Sequence, residues 1–332
     1  MGHEARLFMH TSSYEPSDLV EADYFFYMPS GKLWTEINRI RALEALIQAI
    51  SDFQPDMIFL RFAMYVFPAH RLMRIAPVVE EINTNDLSQH DELKGIYSLY
   101  NRFTRGILFR RVRGMVTVSR ELAESPAFTR YHKPIRVIAN GWDLDGFPQL
   151  PAPSNPVPRL VFIGNPGYVW HGVDKLVILA RLLPDVHVDI IGYSQLPGFA
   201  PLPANLTLHG YLALPEYKTV LSSADVAISS LALHRIRLEE ASPLKSRECL
   251  AFGLPLVLAY IDTDLADADC DFLLKIPNRE DNIQTHAQTI RDFAYRMRGR
   301  RAEREILKKH IDSRHKEAVR LSFFEELLQR PQ

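Results

Sequence analysis

The sequence predicts two α/β domains in tandem, each built on a parallel β-sheet. Three observations lead to this prediction. The chain has 332 residues, which is long for one domain and comfortable for two. Short apolar strands alternate with amphipathic helices, and the alternation starts again in the second half. Residues 148–158, between the halves, are rich in proline and poor in apolar side chains, as expected of a linker.

The elements of each half follow from local apolar patterns. In the first half we predict helices at residues 34–53 and 98–113 and strands at residues 5–9, 57–62, 78–82, 115–119 and 135–139. In the second half we predict strands at residues 160–163, 188–191, 206–208, 226–229 and 256–260, helices at 173–183 and 215–223, and a helical tail from residue 281. The predicted domains are residues 1–150 and 157–310, followed by a C-terminal helix at 311–332. Helices should cover both faces of the sheets, and strand ends should meet a ligand in a cleft between the domains.

Composition and charge exclude several classes of protein. The formal net charge is -1, whereas a dedicated nucleic-acid binder is normally strongly basic. No apolar run approaches the ~18 residues that a membrane span needs, and the first residues contain no apolar signal region. The two cysteines lack metal-ligand spacing and are expected to be reduced. We therefore expect a cytoplasmic protein that binds no nucleic acid.

Two glutamates near residue 243 are the strongest functional signal. Glu240 and Glu248 flank a predicted helix start, with Ser242 as the capping hydroxyl and Pro243 at the first helical position. Leu244 follows on the side expected to be buried. A diphosphate is favoured at the N-terminal end of a helix, and the carboxylates could bind hydroxyls of a sugar and of a ribose. The arrangement suits a nucleotide-sugar site to which all five residues contribute.

This stretch resembles the paired-glutamate motif of the retaining family 4 glycosyltransferases (glycosyl transferases group 1), which have the GT-B fold. The resemblance is strong from Val116 to Tyr260 and weak before Gln54. Further matching segments are AFGLP at 251–255, LHGY at 208–211, SADV at 223–226, VTVS at 116–119, VIANGWD at 137–143 and QPDMI at 54–58.

The resemblance implies an activity. It is the transfer of a hexose-type sugar from a nucleotide diphosphate sugar to an acceptor hydroxyl, with retention of configuration and without metal or other cofactor. The second domain would bind the donor, the first would bind a carbohydrate or lipid-linked acceptor, and the last helix would pack back on the first domain. Such reactions serve polysaccharide or glycoconjugate biosynthesis.

The resemblance also implies roles for individual residues. Glu240 would contact the donor sugar, Glu248 the ribose hydroxyls, and Lys245 the charge on the leaving phosphate. Each has a plain alternative: a solvated loop glutamate for Glu240, a carboxylate paired with Arg247 or Lys245 for Glu248, and a solvated helix lysine for Lys245.

Residues at the predicted strand ends complete the expected site. Gly164 and Asn165 would form a turn close to the phosphate, or a turn with no ligand. His171 would contact phosphate or lie at the surface. Gly210 and Tyr211 would border the base, although Tyr211 could equally be core. The family places Arg and Lys where this chain has Asn165 and His171, so cationic charge is missing there unless His171 is protonated.

The N-terminal segment departs from the family pattern. Residues 2–7 resemble the junction where the first helix leads into the second strand, so the first strand and helix are expected to be absent. We hypothesise that the natural protein begins upstream or that the chain has lost activity. A binding or scaffolding protein of this fold is therefore the main alternative function. A sugar-nucleotide epimerase would need an acid-base set that the sequence does not supply.

A basic helix suggests one more partner. Its arginines are interleaved with apolar residues, and they are either a solvated face or an attachment to anionic lipid. These arginines are Arg102, Arg105, Arg110, Arg111 and Arg113.

Overall fold

The computed structural model describes residues 2–13, 21–87 and 95–330. These residues divide into two compact units. The first unit consists of Met1–Thr117, Leu122–Arg136 and Ser322–Gln332, and the second of Val118–Glu121 and Val137–Leu321. The domain limits expected from the sequence stay a prediction.

The first unit begins with a parallel pair of short strands. Strand β1 (Phe8–Thr11) pairs with β2 (Asp23–Phe26), and helix α1 (Lys32–Phe53) packs against both. The helical spacing predicted for α1 is confirmed, because Leu43 and Leu46 are buried on one face. Strand β2 was not expected from the sequence.

A four-stranded sheet forms the rest of the described first unit. Its strand order is β3 (Ile58–Arg61), β4 (Val78–Ile82), β5 (Gly114–Thr117), β6 (Ile135–Val137). The first three strands are parallel. Strand β4 lies inside the sheet, which explains its buried apolar side chains, but it also buries Glu80. The accompanying helices are α2 (Ile96–Phe109), α4 (Pro126–Thr129) and a 3₁₀ helix, Ala69–Arg74. Helix α3 (Arg120–Glu124) begins with two residues of the second unit, Arg120 and Glu121, and ends in the first.

Two of the five arginines expected on the basic helix do not face the solvent as a group. Arg105 is buried and forms an ion pair with Asp86 at 2.8 Å. Arg113 lies beyond the end of the helix and donates to the carbonyl oxygens of Leu327 and Arg330. These two guanidinium groups bind protein atoms and therefore do not belong to an outward cationic face.

The second unit contains a six-stranded sheet in which all pairs are parallel. The strand order is β14-β12-β10-β7-β8-β9, so the chain direction across the sheet reverses between β7 and β10. In such sheets, ligands bind beyond the carboxyl ends of the strands at the reversal point. The six strands are β7 (Arg159–Ile163), β8 (His187–Ile191), β9 (Leu206–Gly210), β10 (Val226–Ile228), β12 (Leu256–Leu258) and β14 (Leu273–Lys275).

A second, two-stranded sheet pairs β11 (Glu240–Ala241) with β13 (Ile261–Asp262). Neither strand was predicted, because two residues are too few to show alternation. The helical tail is confirmed but consists of three helices, since extended residues interrupt it. The helices of this unit are α5 (Val173–Leu182), α6 (Leu214–Ser223), α7 (Leu244–Ala251), α8 (Asn282–Met297) and α9 (Arg304–Ile311), with 3₁₀ helices at Val169–His171 and Leu233–Ile236. Helix α10 (Ser313–Gln329) begins in this unit, and its residues from Ser322 onward belong to the first.

Candidate active site

Glycines bring the ends of β7, β8 and β9 into close backbone contact. The Gly192 N–H donates to the Gly210 carbonyl at 2.7 Å, and the Gly164 N–H donates to the Ile191 carbonyl at 3.1 Å. Gly192 has φ +92°, and a Cβ atom on it would lie 1.8 Å from the Gly164 oxygen. Only glycine fits there. The strand ends therefore present backbone groups close together, as a phosphate-binding turn requires.

Replacing Gly192 with alanine should distort this turn. We expect Gly192→Ala to destabilise the second unit by about 2–3 kcal/mol, because positive φ and a backbone clash act together. Gly198 is the matched control: its φ is +85°, but a Cβ atom there would meet nothing within 4 Å. Gly198→Ala should cost only ~1–2 kcal/mol. Urea unfolding measures both, and equal losses would show that the close approach is unimportant.

His171 is buried, and its ring lies next to Gly164. Its Nδ1 atom is 3.2 Å from the Tyr193 hydroxyl, which donates to the Asn165 carbonyl at 2.6 Å. Burial, assisted by the charge of Lys245, lowers the pKa of His171 to about 3. The imidazole is therefore neutral at physiological pH and does not supply the missing cationic charge. The alternative of a surface histidine is wrong.

Lys245 brings a cation to the end of β7. Its ammonium nitrogen is buried, lies 4.4 Å from the centre of the Phe162 ring, and has no hydrogen-bond partner among the described residues. Burial lowers the pKa of Lys245 to about 7. The alternative of a solvated lysine is wrong. Near pH 7 the Lys245 amine is therefore only partly protonated, and a bound anion would favour its ammonium form without first breaking a hydrogen bond to a described residue.

Glu240 lies on β11 and is held by the start of α3. Its Oε2 atom accepts the backbone N–H of Glu121 at 2.8 Å, and the Glu121 carboxylate accepts the N–H groups of Glu239 and Glu240 at 2.9 and 2.8 Å. The Glu240 Oε1 atom is buried and has no partner in the described part of the chain. The alternative of a solvated loop glutamate is therefore wrong. One oxygen fixes the side chain, and the other can bind a ligand hydroxyl.

The start of α7 differs from the prediction by one residue. The helix begins at Leu244, and Pro243 occupies the capping position with no side-chain cap. The Pro243 carbonyl accepts the N–H groups of Ser246 and Arg247 at 3.1 and 3.3 Å. The N–H groups of Leu244 and Lys245 form no hydrogen bond to any described residue. They are available to an anion at the positive end of the helix.

Ser242 is not the helix cap that the sequence suggested. Its hydroxyl accepts hydrogen bonds from the Asn140 N–H at 3.0 Å and from the Arg247 guanidinium at 2.8 Å. A charged donor forms the stronger hydrogen bond, so the hydroxyl turns toward Arg247 and away from the helix N–H groups. Ser242 therefore positions the segment before α7.

Arg247 organises this segment, and the sequence analysis missed that role. Its side chain is fully buried and binds both oxygens of Asp262 at 2.8 Å and one oxygen of Asp264 at 3.2 Å. Its Nε atom also donates to the Asn140 carbonyl at 2.8 Å. The available signal was the pair of aspartates after a strand, which could be read as a weak metal site but binds a guanidinium instead.

Glu248 and Tyr211 complete the predicted set. Burial raises the pKa of the Glu248 carboxyl, and the nearby Tyr217 hydroxyl opposes the shift. The alternative pairing of Glu248 with Arg247 or Lys245 is wrong, since Arg247 pairs with aspartates. Tyr211 follows Gly210 at the end of β9 and is 92% exposed, so it is not core. The sequence analysis did not identify Tyr217 as a neighbour of the Glu248 carboxyl.

The first part of the chain matches a known family model. Residues 1–146 match the model of Glycosyltransferase Family 4, including the segment where the sequence resemblance was weakest. No curated protein matches the chain.

Several solved structures resemble more than 90% of the chain in fold. Sucrose-phosphate synthase from Thermosynechococcus elongatus is 15% identical, with a TM-score of 0.65 over 96% of this chain and 86% of its own. A glycosyltransferase from Rickettsia africae is 15% identical, with a TM-score of 0.59 over 93% and 86%. Anabaena HepE, solved with UDP-glucose, is 13% identical, with a TM-score of 0.59 over 92% and 86%.

The chain has the GT-B fold of these structures, as predicted. Among the described residues, no helix is long and apolar enough to cross a membrane.

Proposed function

We propose that this chain transfers a hexose-type sugar from a nucleotide diphosphate sugar to a hydroxyl of a carbohydrate or lipid-linked acceptor, with retention. One observation carries the proposal: on the β11–α7 segment, the Glu240 Oε1 atom and the Lys245 side-chain nitrogen are buried and have no hydrogen-bond partner among the residues that the structure describes. Such groups are rare because leaving them unpaired is costly. A ligand with both hydroxyls and an anionic group would satisfy them.

The donor would bind along α7 and the strand ends. Its diphosphate would accept hydrogen bonds from the N–H groups of Leu244 and Lys245 and from the Lys245 ammonium group. Glu248 would accept from the ribose hydroxyls. The base would lie against Gly210 and the exposed ring of Tyr211. Anabaena HepE, which is similar in fold and was solved with UDP-glucose, supports a nucleotide-sugar donor.

The reaction would proceed on one face of the sugar. The bond from the anomeric carbon to the diphosphate oxygen breaks, the acceptor oxygen bonds to that carbon, and the acceptor proton passes to the leaving diphosphate. Lys245 stabilises the charge that develops on the leaving group. His171 is neutral and can contribute only a hydrogen bond. We propose that no metal or other cofactor takes part, that no nucleic acid is bound, and that the chain acts in the cytoplasm.

Glu240→Gln tests the proposal. A thermal-shift panel of nucleoside diphosphates and nucleotide sugars would first identify the donor, since stabilisation follows RT ln(1 + [L]/Kd). With that donor, we expect sugar transfer or donor hydrolysis by the wild type and a loss of about 100-fold in Glu240→Gln. Lys245→Met should weaken nucleoside diphosphate binding about tenfold. Glu239→Gln is the control, because Glu239 is exposed and its carboxylate accepts a surface hydrogen bond from the Asn278 side chain.

The results of these experiments distinguish a glycosyltransferase from a binding protein of the same fold. Donor binding without turnover, unchanged in Glu240→Gln, would favour the binding protein of the same fold. Equal activity in Glu240→Gln and Glu239→Gln would remove Glu240 from the reaction. Failure of every nucleotide sugar to stabilise the chain would contradict the proposed donor.

A further inference from the structure

Glu121 and Glu240 hold each other through three hydrogen bonds. The Glu121 N–H, in the first turn of α3, donates to the Glu240 Oε2 atom at 2.8 Å. In return, one oxygen of the Glu121 carboxylate, Oε2, accepts the N–H groups of Glu239 and Glu240 at 2.9 and 2.8 Å. We call these three hydrogen bonds the Glu121 clasp. A single residue therefore fixes both the main chain and the carboxylate of Glu240.

The Glu121 clasp matters because strand β11 is short. The strand contains only Glu240 and Ala241, and it pairs with β13 over these two residues. So short a pairing of strands is weak in water. The segment that leads to Glu121 is itself anchored, since the buried Thr263 hydroxyl donates to the Val118 carbonyl at 3.0 Å. Among the described residues, the Glu121 N–H is the one hydrogen-bond partner of the Glu240 carboxylate.

The clasp sets the place of the other carboxylate oxygen of Glu240. This atom, Oε1, is buried and has no hydrogen-bond partner in the part of the chain that the structure describes. A displacement of about 1 Å in a group that orients a substrate can lower the rate of a reaction roughly 100-fold. Without the clasp, the carboxylate of Glu240 would be free to rotate about its side-chain bonds. The clasp therefore determines where Oε1 meets a ligand hydroxyl.

We infer that Glu121 is a positioning residue for the sugar transfer proposed above, and this inference rests on that proposed function. Glu121 acts through Glu240 and does not need to touch the substrate. The proposed contacts to the nucleotide belong to other residues, Lys245 and Glu248. Loss of the Glu121 side chain should therefore lower turnover and leave nucleotide binding in place. A general contribution to stability would weaken both.

Steady-state kinetics of the full chain test this inference, with the nucleotide sugar that the thermal-shift panel identifies as donor. We expect Glu121→Ala to lower kcat about 100-fold and to keep the Kd for the matching nucleoside diphosphate within about twofold of the wild type. Glu121→Gln should retain most of the wild-type kcat, because the side-chain oxygen of glutamine can accept the same two N–H groups. Glu124→Ala is the matched control, since Glu124 is exposed on the same helix, and it should turn over the donor as the wild type does.

Hydrogen exchange measures the clasp without any donor. The backbone amides of Glu239 and Glu240 should exchange faster in Glu121→Ala than in the wild type or in Glu121→Gln. Thermal unfolding of each variant checks that the chain is folded.

The kinetic results separate this inference from the proposed function. Wild-type kcat in Glu121→Ala would overturn the positioning role and leave the proposed function standing. Equal losses of kcat in Glu121→Ala and Glu121→Gln would also overturn it, as would a nucleoside diphosphate affinity that falls as far as kcat. A wild type that turns over no nucleotide sugar would contradict the proposed function, and the inference with it.

Discussion

Arg247→Met is expected to destabilise the second unit by about 3–5 kcal/mol, because it removes the guanidinium group that pairs with the buried Asp262 carboxylate. Asp262 is 1% exposed, and both of its oxygens accept hydrogen bonds from Arg247 at 2.8 Å. Arg247→Met also removes the hydrogen bonds that Arg247 donates to the Ser242 hydroxyl and to the Asn140 carbonyl. The segment that carries Glu240 and Lys245 should therefore lose its position along with its stability.

Urea unfolding followed by tryptophan fluorescence measures this loss, since Trp142 and Trp170 both lie in the second unit. Arg300→Met is the control: its ion pair with Asp271 is half-exposed on both sides and should contribute only ~0–1 kcal/mol. The double variant Arg247→Met/Asp262→Asn should recover part of the lost stability, because no charged Asp262 carboxylate remains buried. If the double variant is as unstable as Arg247→Met alone, the loss does not come from the orphaned carboxylate.

We expect the stability of the first unit to decline as the pH rises, and we expect Glu80→Gln to abolish that decline. Glu80 is fully buried on β4, and neither carboxylate oxygen has a partner among the described residues. Burial, with a smaller effect of Asp86, raises the pKa of Glu80 to about 8, and Arg105 opposes the shift. Because the folded-state pKa lies above the unfolded value, the contribution of Glu80 is fully present below about pH 4.5. It is lost as the pH rises through about 8.

Each pKa unit corresponds to about 1.4 kcal/mol, so the decline between these limits amounts to ~3–5 kcal/mol. Glutamine keeps the shape of the side chain and stays neutral. Glu80→Gln should therefore match the wild type near pH 5 and exceed its stability near pH 9. Hydrogen exchange of the β4 and β5 backbone amides measures the difference locally. Glu81→Gln retains Glu80 and should decline with pH as the wild type does. Parallel pH profiles for Glu80→Gln and the wild type would contradict the assignment.

Much of the architecture could be predicted because apolar spacing is a local property. Strand β4 was predicted at its observed limits, and α1 and α5 to within two residues. The resemblance of the glutamate segment could be recognised because its residues are contiguous in sequence, and it predicted the GT-B fold. In contrast, β11 and β13 depend on pairing across twenty residues of chain and have no local pattern.

The sequence by itself determined the α/β class and the parallel sheets, and it led to the proposal that the functional centre is the segment from Glu240 to Glu248. Only the tertiary structure decided the charges and partners there. It made His171 neutral, left the buried Lys245 nitrogen without a hydrogen-bond partner in the described part of the chain, and turned the Ser242 hydroxyl toward Arg247 and away from the helix N–H groups. The physical reason is that burial and hydrogen-bond partners come from residues distant in sequence, such as Glu121 and Asn140, whereas helical and strand periodicity arises from neighbours.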